Sequence, residues 1–424
     1  MANVRKARKA RKAIRIPRSL EMNRRNQRLR LLLQGNIPRL YPLEGSELTP
    51  RCYADGYVYG NGQRVNQAVV RWPEGDIAAF ESRLNSYSTL TGITTASLST
   101  IVATPDNSLL MVCGDTGTDL FYIFRSTDGG VNWSQVQDLG HDGTTHQVNR
   151  KALGASSFAF ITLDDDSSAI LCGEYATHSS GSDSLTIWIS TDDGATWSAW
   201  WRPNTSTDNF RHVHSVYQDP KTERVIVCFG DNGDEAAIVS GPNTNDWTAL
   251  NNASQATIAG TAGYAILYGE QKYRMIDLMF KDGFIYGHAD AASGDFSDTG
   301  IYKFNGELTF FQLVYKPDYL ADDKIAGGSG LVTSDGVMIT SDFYETVSSG
   351  EVIRVHASAD GAQWKTIARF NLLSTISQTA WFGNTFQTPN GDIYFGGSAN
   401  IWAAGKWNAD STVLRINGNY DSSY

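Results

Sequence analysis

The sequence predicts an all-β protein, a β-propeller of seven blades with six as the alternative, preceded by a basic and partly helical N-terminal arm. A short turn motif occurs three times, and a second Asp-containing turn returns every 51 to 63 residues. Repeats of this length are typical of radial β-architectures, because each repeat forms one small sheet that packs against its neighbours. We divide the chain into an arm, residues 1–44, and a propeller, residues 45–424.

The turn motif has the pattern Ser-x-Asp-x-Gly, with a tryptophan three residues after the glycine. It occurs at residues 126–133 and 190–197, and in a form one residue shorter at 358–364. Each copy follows a run of β-branched and aromatic residues. Asp and Ser side chains bond the backbone of such a turn, and glycine accepts a positive φ. The motif therefore predicts a hairpin between two strands.

The second repeat is an Asp-containing turn between two hydrophobic runs. Its spacing equals the length of a four-stranded blade with its loops. The aspartates of these turns are Asp55, Asp106, Asp166, Asp219, Asp282, Asp335 and Asp392.

Composition agrees with this fold, since 40 glycines and 11% aromatic residues accompany only 19% charged residues. Cys113, Cys172 and Cys228 occupy equivalent places in the second strands of successive predicted blades, too far apart to pair. We expect buried free thiols, no disulfide framework and folding in a reducing compartment, the host cytoplasm. The longest apolar runs are strand-sized, so no membrane span is expected.

The N-terminus differs sharply from the remainder of the chain. Residues 1–39 contain 13 Lys or Arg and one acid, Glu21, which leaves a strongly acidic body. Such a segment cannot bury a core and is typical of an extended interaction tail. Residues 19–34 predict a short helix with a leucine patch. The residues expected to anchor the arm are Arg5, Lys6, Arg8, Lys9, Arg11, Lys12, Arg24, Arg25 and Arg28.

The Ser-x-Asp-x-Gly-x-x-Trp turns resemble the Asp-box, or bacterial neuraminidase repeat, of sialidase-like β-propellers of the bacterial and phage type. The resemblance implies that these turns are structural and connect the third and fourth strands of a blade. It also implies a ligand site on the opposite face, around the channel mouth, where first strands begin and second strands end.

Counting back from the Asp-containing turns places two segments at that face. In the segment at 211–214, His212 and His214 share a strand face, because the side-chain period of a strand is two. The segment at 270–277 contains Tyr273 and Arg274. His214 and Asp277 each precede a turn aspartate by five residues, so they occupy equivalent registers. Further candidate binding residues are Arg211, Glu270, Asp277, Asp231 and His146.

A distant resemblance to propeller polysaccharide lyases implies catalytic roles for part of this set. Carried over, His212 or His214 is the general base, Tyr273 the general acid and Arg274 the partner of a uronate carboxylate. β-Elimination requires a base near the working pH and a cation that acidifies the α-proton. Alternatively, these residues fill a wet channel, bind a metal through His-x-His without an identifiable third ligand, or serve a sialidase.

Two functions remain open at this stage. The first is a virion-associated structural, glycan-binding or receptor-binding propeller, anchored through residues 1–40 to portal, tail or capsid proteins in a larger oligomeric assembly. The second is an enzyme, a polysaccharide lyase or glycosidase, that acts on host surface polysaccharide. The arm also predicts possible nucleic-acid contact, because clustered Lys and Arg neutralise phosphates. No cofactor and no membrane partner are expected.

Overall fold

The computed structural model is all-β apart from short helical turns. It describes residues 48–416 except 63–68, 75, 77–78, 91–92, 94–95, 116–117, 119, 141–149, 177–184, 206–208, 231–232, 291–297, 318–324, 345–351, 372–381 and 398–412. The predicted arm, with its helix and its boundary at residue 45, lies outside these residues. Within the described part of the chain, no helix is long and apolar enough to cross a membrane.

Six antiparallel four-stranded sheets follow one another along the chain, each with its strands in sequence order. The first sheet comprises β1 (Leu48–Ala54), β2 (Tyr57–Gly62), β3 (Val69–Pro73) and β4 (Glu81–Leu84). The second comprises β5 (Ala96–Ala103), β6 (Leu109–Asp115), β7 (Leu120–Ser126) and β8 (Ser134–Asp138). The third comprises β10 (Phe158–Thr162), β11 (Ser168–Gly173), β13 (Ile187–Ser190) and β14 (Ser198–Trp201), beside a ribbon of β9 (Arg150–Lys151) and β12 (Tyr175–Ala176).

The fourth sheet comprises β15 (His212–Gln218), β16 (Val225–Gly230), β17 (Ala237–Gly241) and β18 (Ala265–Tyr268). The fifth comprises β19 (Met275–Lys281), β20 (Phe284–Ala289), β21 (Ile301–Phe304) and β22 (Phe311–Tyr315). The sixth comprises β23 (Ile325–Val332), β24 (Met338–Tyr344), β25 (Val352–Ser358) and β26 (Lys365–Asn371). A further sheet has three strands, β27 (Phe382–Gln387), β28 (Ile393–Gly397) and β29 (Val413–Ile416).

Among the residues that the structure describes, helical segments are confined to connections between strands. They are the α-helix α1 (Gln255–Ala259) and 3-10 turns at Tyr87–Thr89, Ala155–Ser157, Gly233–Glu235, Thr248–Leu250 and Gln271–Tyr273.

The first strands of successive sheets form the inner wall of a ring. β10 contacts β15, β15 contacts β19, β19 contacts β23, β23 contacts β27, and β1 contacts both β27 and β5. The second and third sheets share an apolar core. A β-propeller is therefore observed with six complete four-stranded blades, in agreement with the alternative of six. A complete seventh blade, as predicted, is not shown by the described residues.

The apolar cores lie between neighbouring sheets. Trp200 and Trp247 stack with ring centroids 4.3 Å apart in the cluster between the third and fourth sheets. Between the first and last sheets, Trp72 packs with Tyr394 in a cluster that joins the two ends of the ring. Cys113, Cys172 and Cys228 lie fully buried in the second strands as free thiols, which confirms that expectation.

The repeated turns lie where the sequence places them. Each turn of the second, Asp-containing repeat joins the first two strands of its sheet. The three Ser-x-Asp-x-Gly turns join the third and fourth strands, β7 to β8, β13 to β14 and β25 to β26. In the second copy, Gly194 N donates to Ser190 Oγ at 2.9 Å, and Thr196 N donates to Asp192 Oδ1 at 2.8 Å. Trp197 Nε1 donates to the carbonyl of Gly194 at 3.1 Å. The side chains thus close the turn by themselves.

Replacing Asp192 tests the contribution of one such turn. Asp192→Ala removes the acceptor of Ser190 Oγ, Thr196 N and Thr196 Oγ1. We expect the free energy of unfolding to fall by about 1–2 kcal/mol, because three local donors lose a charged acceptor in an exposed turn. Urea denaturation measures this loss. Asp106→Ala, at the exposed turn after β5, is the control, and an equal effect of both substitutions would contradict the prediction.

Candidate functional site

β-Bulges shape the beginnings of the first strands. In β15 the pairing with β16 skips His214, and in β19 the pairing with β20 skips Ile276 and Asp277. β23 skips Gly328 and Ser329 in the same way. A bulge leaves its extra residue outside the ladder and re-aims the side chain. His214 and Asp277 therefore occupy bulges in neighbouring sheets, at the positions that their common register indicates.

Three rings stack at the start of the fourth sheet. Tyr175, in β12, lies face to face with His212, with centroids 4.2 Å apart and planes 7° apart. The ring of His214 lies beside both, with its centroid 6.0 Å from Tyr175 and 6.2 Å from His212. Both imidazoles are almost fully buried, at 2% and 1% exposure. The ribbon that carries Tyr175 thus covers the histidine pair.

Arg274 forms a buried ion pair next to this stack. Its Nη2 lies 2.8 Å from Asp290 Oδ2, and both side chains are at most 5% exposed. Asp290 N also donates to the carbonyl of Arg274 at 2.7 Å. Pairing compensates the large cost of taking each charge out of water. In this state the guanidinium charge is therefore largely neutralised by the protein itself.

Gly230, the last residue of β16, lets His214 and Arg274 approach one another. A Cβ at this position would lie 2.4 Å from His214 Cε1 and 2.8 Å from Arg274 Cγ. No other residue fits without displacing one of the two side chains. Gly230 thus brings the fourth-sheet histidine and the fifth-sheet arginine together.

More accessible groups precede Arg274. Tyr273 Oη donates to Glu270 Oε1 at 3.1 Å, and Lys272 Nζ lies 2.6 Å from Glu270 Oε2. The hydrogen bond from Lys272 is the main cause that lowers the pKa of Glu270. Partial burial raises the pKa of Tyr273, so its hydroxyl stays protonated at neutral pH.

The structure therefore places the predicted residues in different surroundings. His212, His214 and Arg274 are brought together around Gly230, with Tyr273 and Glu270 beside them in sequence. Arg211 points to a separate partner, Glu235, at 3.6 Å. Asp277 lies further along the channel wall. Asp231, His146 and every arm residue named above lie outside the described residues.

A second buried polar cluster lies between the fifth and sixth sheets. His356 Nε2 lies 2.9 Å from Asp342 Oδ1, and Arg354 Nη1 lies 3.7 Å from Asp342 Oδ2. The ring of His288 approaches His356 edge-on at 6.0 Å. Burial lowers the pKa of His288 to about 4, so it is neutral at physiological pH.

Sequence reasoning did not select Tyr175 as a site residue and did not foresee the buried pair of Asp342 and His356, whereas it expected Asp290 at this face because Asp290 follows a second strand. Asp290 and Asp342 both lie at the ends of second strands, so strand position is the signal that finds them. Tyr175 has no comparable signal, because its contact depends on the ribbon formed with β9.

The arrangement restricts the possible chemistry. A sialidase needs several arginines converging on one carboxylate, whereas Arg211, Arg274 and Arg354 each pair with a different acid. Among the described residues, no three His, Cys, Asp or Glu side chains are grouped to hold a metal ion. Paired imidazoles near an arginine are suited to proton transfer next to an anionic substrate. The ring of Tyr273 packs on Phe311 of β22, with centroids 5.0 Å apart.

Adding a methyl group at Gly230 tests the close approach of His214 and Arg274. Gly230→Ala must displace one of these side chains, and overpacking of this kind costs about 1–3 kcal/mol of unfolding free energy. Gly233→Ala is the matched control, because a Cβ at Gly233 meets no atom within 4 Å. Urea denaturation compares the two. Equal stability of both variants would show that the site is loosely packed.

Comparison with known proteins finds no matching family model, and no curated protein matches the chain. Similar solved structures exist at low identity. They include a Penicillium chrysogenum α-L-arabinanase complexed with arabinobiose (14% identity, 75% of this chain, 92% of that chain, TM-score 0.42), a Lactobacillus plantarum protein (11%, 87%, 97%, TM-score 0.45) and a Hadza microbial sialidase (12%, 76%, 66%, TM-score 0.44).

Proposed function

We propose that the chain is a glycan-degrading enzyme that cleaves uronate-containing surface polysaccharide by β-elimination at the face where the first strands begin. The observation that carries the proposal is the cluster of Tyr175, His212 and His214, in which His214 and the side chain of Arg274 lie against the same glycine, Gly230. Two imidazoles with an arginine side chain beside them supply both a base and a carboxylate partner. Both are needed to remove a proton next to a uronate carboxylate.

Each residue has a distinct part in this reaction. His212 or His214 takes the proton at C5 of the uronate, and Arg274 faces the carboxylate, exchanging its bond to Asp290 for one to the substrate. Tyr273 donates a proton to the leaving glycosidic oxygen, since its raised pKa keeps the hydroxyl protonated. Because both imidazoles are buried, substrate entry displaces Tyr175 from its stacked position.

The histidines and the tyrosine are tested together on a panel of uronate-containing polysaccharides. We expect His212→Ala or His214→Ala, whichever is the base, and Tyr273→Phe to lower kcat/KM by about 100-fold or more, as loss of general acid–base groups does. The ultraviolet absorbance of the unsaturated uronate product measures cleavage.

His356→Gln serves as the control for that assay, because His356 is a buried histidine of the sixth sheet that contacts Asp342 rather than the stack. It should cleave at the wild-type rate. Unchanged cleavage by all three site variants, or no cleavage of any polysaccharide by the wild-type chain, would eliminate the lyase proposal.

A second function is favoured by the charge of the N-terminus. Residues 1–39 contain 13 basic residues and one acid, in a chain of net charge −10. We propose that this arm anchors the propeller to a virion, by contact with portal, tail or capsid proteins or with nucleic acid, after folding in the host cytoplasm. An anchored propeller acts there as a structural or receptor-binding protein in a larger oligomer, and such a role is compatible with glycan cleavage.

Deleting residues 1–40 separates the two functions. We expect the truncated chain to keep its unfolding transition and any polysaccharide cleavage, while losing incorporation into purified particles, because only the arm carries concentrated positive charge. Incorporation is measured by immunoblotting of particles against the full chain. Replacing Arg5, Lys6, Arg8 and Lys9 by glutamine in the full chain is the matched variant. Normal incorporation of both would exclude the anchoring role.

We also propose that β27–β29 belong to a seventh blade. β27 contacts β23 on one side and β1 on the other, as the first strand of an intervening blade does. Its sheet also supplies Tyr394 and Phe386 to the core shared with Trp72.

A further inference from the structure

Asp277 connects three neighbouring sheets on the channel wall. Its Oδ1 accepts the hydroxyl of Tyr217, from β15, and the amide of Leu278, its neighbour in β19, at 2.9 Å. Its Oδ2 accepts a hydrogen bond from Gly330 N, directly after the bulge of β23, at 2.9 Å. One carboxyl group thus holds the first strands of the fourth, fifth and sixth sheets together.

The hydrogen bond between Tyr217 and Asp277 lies close in sequence to the candidate site. Tyr217 follows His214 by three residues in β15, and Asp277 follows Arg274 by three residues at the start of β19. β15 and β19 therefore meet directly through Tyr217 and Asp277, three residues after His214 and Arg274, which both lie against Gly230 of β16. The separation of the strands at one contact constrains their separation at the other, because packed strands move as rigid elements.

We propose that Tyr217 and Asp277 form a positioning clasp that sets the spacing between His214 and Arg274 and changes state when it binds a proton. The clasp acts on the site of the proposed function and rests on it for its purpose. Its geometry and its proton binding do not depend on which substrate the site accepts.

The surroundings of Asp277 explain why it binds a proton readily. The titratable groups facing it are Tyr217 from β15 and, next to that tyrosine, Cys228 from β16, whereas β23 contributes the backbone amide of Gly330. No Lys, Arg or His among the described residues forms an ion pair with Asp277. Desolvation therefore outweighs the three hydrogen bonds and raises its pKa to about 6.

Proton uptake changes the hydrogen bonding of the clasp. The ionised carboxylate accepts hydrogens from Tyr217, Leu278 and Gly330. A proton taken from solvent onto Oδ1 makes that oxygen a donor, so the hydroxyl of Tyr217 must turn and accept. The Tyr217 hydrogen then points elsewhere, and the amide of Leu278 faces a weaker acceptor. The clasp is thus tightest when Asp277 is ionised.

Nuclear magnetic resonance of the full chain without substrate tests the clasp. The probes are the amide of Gly330, which reports the carboxylate directly, and the Nε–H of Arg274, which reports the site, followed from pH 4.5 to 8. We expect both signals to titrate with one midpoint near 6. Asp277→Asn should abolish both titrations.

Tyr217→Phe keeps the ring that packs on Phe280 at 5.6 Å but removes the hydroxyl. Since that hydroxyl lowers the pKa of Asp277, its loss should raise the common midpoint by about 1 pH unit. Tyr286→Phe is the matched control. It removes the hydroxyl of another buried tyrosine, close to Gly361, and should leave the midpoint unchanged.

The pH dependence of the unfolding free energy provides an independent test of the raised pKa of Asp277. The folded carboxyl titrates near 6 and the unfolded one near 3.8, so the folded state holds an extra proton between these values. The stability that Asp277 contributes is complete at the acid end of this window and falls as pH rises through it. Relative to Asp277→Asn, the wild-type chain should therefore lose unfolding free energy from pH 4 to 6.

Two outcomes overturn the clasp. If Gly330 titrates while Arg274 does not, Asp277 binds a proton without influencing the site. If Tyr217→Phe leaves the midpoint unchanged, the tyrosine does not participate. Failure of the lyase assay alone, with both titrations present, would refute the proposed function and leave the clasp standing.

Discussion

The burial of side chains between neighbouring sheets is the constraint on which the rest of this structure depends. A four-stranded sheet is too small to be stable alone, so each one buries its faces against the sheets beside it. The ring closes where Trp72 of the first sheet meets Tyr394 of the last. Whatever side chains lie between the sheets are desolvated by this packing, whether they are apolar or charged.

The candidate site is a consequence of that desolvation. Polar residues at the ends of second strands must find partners inside the protein, because unpaired buried charges are very unfavourable. Glu174 accepts hydrogen bonds from Gly140 N and Trp188 Nε1, whereas Asp290 pairs with Arg274. Equivalent strand positions therefore carry structural carboxylates in one blade and a candidate reactive pair in another. The group that each carboxylate pairs with therefore determines whether it is structural or part of the candidate site.

Bulges give the inner wall its chemical variety. They let β15 present His214 and β19 present Asp277 without breaking the remainder of the ladder. The inferred clasp and the inferred catalytic cluster share these two strands, so events at one are expected to influence the other. A propeller with regular first strands would lack both.

The sequence by itself determined the hairpins, the order of the strands and the common register of His214 and Asp277. These depend on local chemistry, such as the bonds of Asp192 to Ser190 and Thr196, which needs only a few adjacent residues. The tertiary structure decided that Arg274 pairs with Asp290, that Tyr175 covers His212, and that the described residues form six complete four-stranded sheets beside one of three strands. Those features depend on how different strands and sheets pack in space, and turn chemistry carries no information about that packing.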